Sequence, residues 1–229
     1  MKRLAVLFLS FISAPALADE RRYTITDFDR IRIDGPYRVE VNAGSASTVT
    51  GTGARDALDR VAVDVEGRVL RIRTDKSSWK GSGNAGPVSL RITTRQLRGL
   101  ILSGSGSAEV HGIKGLRFDL SLAGSGQAKI DNIAADRVVV TLTGAGGATL
   151  AGHAKLLEAN LIGSSSLDAA ALTAEDVKIA SASAGNVTAA ARRTATITGG
   201  GTGDIMVKGS AACTIRAEGA GAVSCGDAP

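Results

Sequence analysis

The sequence predicts an all-β fold built as a parallel β-solenoid with coils of about 18–20 residues. Three observations carry that expectation. A small-residue step recurs at Gly104-Ser105-Gly106, Gly124-Ser125-Gly126 and Gly144-Ala145-Gly146. It continues in altered form at Gly163-Ser164-Ser165 and Ser183-Ala184-Gly185, then returns at Gly201-Thr202-Gly203 and Gly219-Ala220-Gly221, with spacings of 20, 20, 19, 20, 18 and 18 residues. Short runs of alternating apolar and polar residues follow the steps and precede most of them, such as "RFDLSLA" before Gly124 and "QAKIDN" after Gly126. The glycines, 29 of 229 residues, punctuate these Val/Ile/Leu runs instead of forming tracts, so a packed β structure is favoured over disorder. A fixed period of this length is the mark of a stacked repeat.

The alternation sends Leu120 and Leu122, or Val138, Val140 and Leu142, to one face of the chain. No single coil can bury that face alone, so each must stack on the next. Stacking at about 4.8 Å leaves little room for a Cβ at a sharp bend, and a positive φ there suits glycine best. Gly104, Gly106, Gly124, Gly126, Gly144, Gly146, Gly201, Gly203, Gly219 and Gly221 are therefore expected to be structural corners. The later coils, with Ala169 to Ala171 and Ala189 to Ala191, should have a thinner core. Residues 23–98 are less regular but still β-rich. "FDRIRIDGPYRVEV" gives two strands about Gly35-Pro36, and "LDRVAVDVEGRVLRIRT" gives two more about Glu66-Gly67. They are expected to form the opening coils and cap of one domain that continues as the regular coils of 99–226, with no linker between.

The chain opens "MKRLAVLFLSFISAPALADE". Two basic residues, a short apolar run and the small residues Ala16 and Ala18 have the form of a secretory signal over 1–18, cleaved before Asp19. The mature domain, 19–229, is expected in the periplasm, at the cell surface or secreted. The apolar run is too short to span a bilayer, so the protein is not expected to span the membrane. Removal of Lys2 and Arg3 lowers the net charge from +5 to +3, too mild to argue for nucleic acid. Cys213 and Cys225, the two cysteines of the chain, should form a disulfide in an oxidising compartment. A metal site would need more ligands nearby than either cysteine has.

From "FDRIRIDGPYRVEVNAG", "LDRVAVDVEGRVLRI" and the repeated "SGSG" steps, the mature chain resembles the head GIN domain family. Phe28, Ile31, Ile33, Gly35, Pro36, Val39 and Val41 match its opening pattern. The resemblance implies a right-handed parallel β-helix in the bacterial envelope, under the label of an autotransporter adhesin head. It implies no catalytic residue. No autotransporter-type membrane barrel is expected after Pro229.

Other chemistries fare poorly against the residues. Gly104-Ser105-Gly106 lacks the third glycine and the helix of a dinucleotide fingerprint. "GGGTGDIMV" resembles a calcium nonapeptide only once, with its acid one position early. No metal and no cofactor is expected. Polysaccharide-cleaving β-helices need carboxylates that converge in a groove. Lining up the coils pairs only His111 with Asp131, while the other acids scatter. Thr141, Thr143, Thr196 and Thr198 suggest a threonine array, but Ile162 and Ala182 interrupt it. Arg91, Arg95 and Arg98 would align on a helix and should scatter on strands. Trp79, in the loop "SSWKGSGNAGP", is a cap over the solenoid end or a candidate ligand contact.

The expected function is thus a non-enzymatic envelope or secreted module that presents a binding surface to an envelope or extracellular macromolecule, a glycan or a protein. The alternatives are a carbohydrate-active β-helix enzyme and a purely structural envelope component.

Overall fold

The computed structural model describes residues 19–75 and 86–226. The chain forms a β-solenoid of about six turns with parallel stacked strands. The regular part begins with β8 (Gly99–Gly104) and β9 (Ser107–His111) in the element order of the chain. Before them come β1 (Asp19–Tyr23), β2 (Arg30–Asp34), β3 (Arg38–Ala43), β4 (Thr48–Gly53), the short helix α1 (Arg55–Leu58), β5 (Val61–Glu66), β6 (Val69–Thr74) and β7 (Ser89–Thr94). After them come β10 (Lys114–Gly124), β11 (Gln127–Gly144), β12 (Gly147–Gly163), β13 (Ser166–Ser183), β14 (Val187–Gly199), β15 (Ile205–Lys208), β16 (Ala212–Ala217) and β17 (Val223–Cys225).

Two long parallel ladders run along the stack. One joins the strand segments that lead into each corner: Leu122 pairs with Leu102 and Leu142, and Leu142 with Leu161. The other joins the segments that leave it: Ile130 pairs with Val110 and Leu150. The inward residues of both ladders make one core. Phe118, Leu120, Val138, Val140, Ile130 and Leu157 are each 1 % exposed or less. The alanines of the later coils are inside too, Ala169, Ala189 and Ala195 among them.

The corner glycines divide into two kinds. Gly104, Gly124, Gly144 and Gly163 have positive φ, from 98° to 120°. Gly106, Gly126, Gly146, Gly201, Gly203, Gly219 and Gly221 do not, so the positive φ expected at the corners belongs to the first glycine of the earlier steps and not to every corner glycine. What excludes a side chain there is space. A Cβ on Gly126 would stand 2.6 Å from the Gly106 carbonyl oxygen and 2.9 Å from Leu102 Cδ2. On Gly203 it would stand 2.1 Å from the Gly185 carbonyl oxygen. The coils close on each other through backbone hydrogen bonds, Ser125 N–H donating to Gly104 and Gln127 N–H to Gly106.

Where serine replaces a corner glycine, its hydroxyl is buried and used. Ser183 Oγ donates to the Ser165 carbonyl oxygen at 2.7 Å and accepts the Gly185 N–H at 3.1 Å. A second bend also recurs, at Gly112 (φ 85°), Asn132 (φ 57°) and Gly152 (φ 133°), 20 residues apart. It turns β11 and β12 without ending them, so one strand of 17–18 residues runs from one corner to the next. In these middle coils the short alternating runs on either side of the bend join into a single bent strand, whereas β9 and β10, and β15 and β16, stay separate.

The opening coils are stacked out of chain order. β2 lies between β6 and β8, parallel to both, and β3 lies between β7 and β9 in the same way. The coil of residues 30–43 is thus enclosed by two coils that follow it in sequence. Ile31, Ile33, Val39 and Val41 are accordingly 1 % exposed or less. The chain must cross this coil between β7 and β8, and the crossing is hydrogen-bonded to it. Arg98 N–H donates to the Asp29 carbonyl oxygen at 2.7 Å, and Thr94 Oγ1 to that of Phe28 at 2.9 Å.

Thr94 is fully buried. Thr94→Val keeps its shape but leaves the Phe28 carbonyl unsatisfied, and should cost about 2 kcal/mol in urea unfolding. Thr94→Ser, which keeps the hydroxyl, should cost less. Equal stability of Thr94→Val and wild type would show that the crossing is held by packing alone.

Beyond β7 the first end of the stack is closed by antiparallel strands: β4 pairs with both β7 and β1, and β5 with β6. Ala57 and Leu58 of α1 are buried against this cap. The other end is open, β16 pairing with β14 and β17 with β15. There Cys213 and Cys225 form the expected disulfide, with Cα atoms 6.4 Å apart. Among the described residues, no helix is long and apolar enough to cross a membrane. Residues 1–18 and Trp79 lie outside the described residues, so the expectations about them stand apart from this fold.

Candidate functional site

Residues that alternate out of the second ladder form a polar face. On the second ladder, register places Thr50, Arg91, Glu40, Glu109, Lys129 and Thr149 in one row across the stack. Two residues along each strand, a parallel row runs Thr52, Ser89, Arg38, Ser107, Gln127, Gly147. Shallow depressions lie on either side of Arg38. One is lined by Glu20, Glu40, Thr50, Thr52, Ser89 and Arg91, the other by Glu40, Ser107, Glu109, Gln127, Lys129 and Thr149.

Glu40 and Glu109 face each other across β3 and β9, a like-charge pairing that would repel if it stood alone. Arg91 lies 3.5 Å from Glu40, and Lys129 lies 2.7 Å from Glu109 and 3.4 Å from Asp131. The hydrogen bond from Lys129 holds the Glu109 carboxyl below the usual carboxylate range, and the same contact raises Lys129. Arg38, exposed between the depressions, has no carboxylate within ion-pair distance among the described residues. The face therefore offers a free guanidinium within a patchwork of hydroxyls, amide and paired charges.

The one acid–base pair expected from coil alignment is present. His111 and Asp131 are register partners, with Nδ1 3.7 Å from Oδ2. It stands at the edge of the same face, and Lys129 shares the carboxylate. A glycosidase acid needs a carboxyl raised towards neutrality. Glu109 is moved the other way. Among the described residues no group of three or more His, Cys, Asp or Glu side chains is placed to hold a metal.

The first ladder carries mainly stitching contacts between coils. Arg137 pairs with Glu158, which Lys178 also approaches at 3.8 Å. Arg193 pairs with Asp176, whose other hydrogen bond comes from Thr194 at 2.6 Å. Arg193 first, then Thr194, holds that carboxyl below its ordinary value. The threonine array is interrupted as expected: Thr143 is followed by Ile162 and Ala182, and Thr141 by Asn160 and Ala180. Arg91, Arg95 and Arg98 scatter to Glu40, Asp27 and Asp29.

Of the residues singled out in sequence, the ten corner glycines are spread along one edge of the stack and the cysteines close its end. They build the scaffold and do not converge on a pocket. Arg38 was not among them. Nothing along the chain marks it, because its isolation depends on strands 50 to 90 residues away.

A family model described as "Putative auto-transporter adhesin, head GIN domain" matches residues 27–211. The chain belongs to the head GIN domain family. Solved structures share the fold of this GIN domain. A "putative adhesin" from Bacteroides fragilis superposes with a TM-score of 0.82 at 23 % identity, covering 91 % of this chain and 96 % of that one. A "putative lipid binding protein" from Parabacteroides distasonis gives 0.70 at 22 %, covering 92 % and 97 %. A "putative adhesin" from the same species gives 0.67 at 19 %, with the same coverage. No curated protein matches the GIN domain chain at a significant level.

Proposed function

We propose that this protein is a non-enzymatic module, exported to the envelope or beyond, that binds an envelope or extracellular glycan or protein on the face around Arg38. The observation that carries the reading is the unpaired guanidinium of Arg38, flanked by two depressions in a continuous polar row. A planar fork of donors among hydroxyls and an amide suits carboxylate, sulfate or hydroxyl groups of an extended polymer. Membership of a family described as adhesin heads supports it, and so does a disulfide, which persists in oxidising compartments.

The test is a screen of immobilised glycans and matrix proteins with the mature chain, followed by Arg38→Gln and Gln127→Ala. Loss of one charged hydrogen bond should weaken a hit by about tenfold or more for Arg38→Gln. Unchanged binding by both variants would place the surface elsewhere. Release of reducing ends from a bound glycan, abolished by Glu109→Gln, would replace this reading with the enzymatic one.

A further inference from the structure

The first ladder carries a concavity of its own, lined by Arg30, Gln96, Arg98, Gly115, Leu116, Arg117 and Asp119. Three guanidiniums meet one carboxylate in it. Arg117 is held by Asp119 at 2.7 Å. Arg98 comes no nearer than 3.9 Å to Asp29, which is already 3.1 Å from Arg68. Arg30 has no carboxylate within ion-pair distance among the described residues. Its stem lies flat over Gly99, where a Cβ would be 3.5 Å from Arg30 Cγ.

The floor is shaped by Gly115. Its φ is 150°, and a Cβ there would stand 2.9 Å from Gln96 Nε2, which crosses to the Lys114 carbonyl oxygen at 3.4 Å. The next residue, Leu116, points away from the core and is 78 % exposed, more than any other large hydrophobic among the described residues. Lys114 and Arg117 flank it in sequence.

We propose that this patch docks the protein peripherally on an anionic phospholipid surface. Phosphate groups sit among Arg30, Arg98 and Arg117, whose forked donors match phosphate oxygens. Leu116 enters the boundary between headgroups and acyl chains, as apolar residues rimmed by cations do at interfaces. A free phosphate or a soluble polyanion would use the arginines and leave Leu116 in water. A lipid surface uses both. The docked ladder is not the one that carries Arg38, so the face assigned to presentation stays free, and the two readings fail independently.

The test is co-sedimentation of the mature chain with vesicles of equal parts phosphatidylglycerol and phosphatidylcholine, against pure phosphatidylcholine, at low and high salt. Binding should require phosphatidylglycerol and weaken with salt. Each basic side chain near such a surface contributes about fivefold in partitioning, so Arg30→Gln should weaken binding by about that factor. Leu116→Gln, which changes no charge, should weaken it by about tenfold. Lys208→Gln, which removes a charge near the open end of the stack, should leave it unchanged. Melting curves check that each variant is folded. No sedimentation with the anionic vesicles overturns the proposal. So does binding that survives Leu116→Gln and is abolished by free inorganic phosphate, which would mark a soluble-anion site.

Discussion

Gly126→Val should destabilise the protein by about 3 kcal/mol or more, whereas Gln127→Val, one residue on, should stay within about 0.5 kcal/mol of wild type. The difference is one of room. Gly126 sits where two corners close on each other, and a Cβ would press 2.6 Å from one backbone oxygen and 2.9 Å from Leu102 Cδ2. The oxygen belongs to Gly106, which accepts the Gln127 N–H that joins the two coils. It cannot recede without breaking that bond. Gln127 faces solvent on a strand, where β-branching is favourable. Urea midpoints of the two variants measure the contrast. Equal midpoints would mean that the corner relaxes, and that glycine is there for some reason other than space. Since φ at Gly126 is not positive, Gly126→Ala should already show most of the loss.

Removing the disulfide, by reduction or as Cys213→Ser with Cys225→Ser, should loosen the open end of the stack and leave its middle intact. The 12-residue separation closes a short loop, and in the chain-entropy model such a link restricts the unfolded segment by about 3 kcal/mol. At the end of a solenoid that magnitude governs local opening, because each coil is held by its neighbours and β16 and β17 have a neighbour on one side only. Every residue of β16 is exposed, including Ile215 at 43 %, so apolar burial contributes little there. Amide exchange over residues 205–226 should accelerate by up to about a hundredfold on reduction. Amides of β11 and β12, paired on both sides, should be unaffected. Unchanged exchange in 205–226 would remove the locking role from the disulfide.

The two effects fall on features that were legible for different reasons. A corner glycine is visible because the crowding that demands it repeats with the coil, so its period stands out in one dimension. Its partner at the second bend was equally periodic, as Gly112, Asn132 and Gly152, but Asn132 in a left-handed conformation hid the register behind a change of residue type. The altered steps at Gly163-Ser164-Ser165 and Ser183-Ala184-Gly185 read as decay. In the stack they are substitutions that bury serine, and the Ser183 hydroxyl both donates to the Ser165 carbonyl oxygen and accepts the Gly185 N–H. The His111–Asp131 pair was found by counting, since coil register is a property of spacing. Arg38 and Arg30 were not, because a guanidinium without a partner is defined by strands brought beside it from elsewhere.

By itself the sequence determined the local and periodic part of this protein: β-strands from alternation, stacking from the 18–20-residue repeat, tight corners from glycine, and a terminal disulfide from two cysteines placed either side of the last corner. Those follow from nearest-neighbour chemistry, which is written along the chain. Only the tertiary structure decided the order of the opening coils, with residues 30–43 enclosed between coils that come later. The opening strands β2, β3, β6 and β7 share the same in-and-out alternation, so more than one stacking order satisfies the local pattern. The choice among them rests on long-range contacts such as Thr94 to Phe28 and on the antiparallel cap that closes one end, neither of which has a period to betray it. The exposed arginines follow from that order, because it fixes which side chains lie alongside each one.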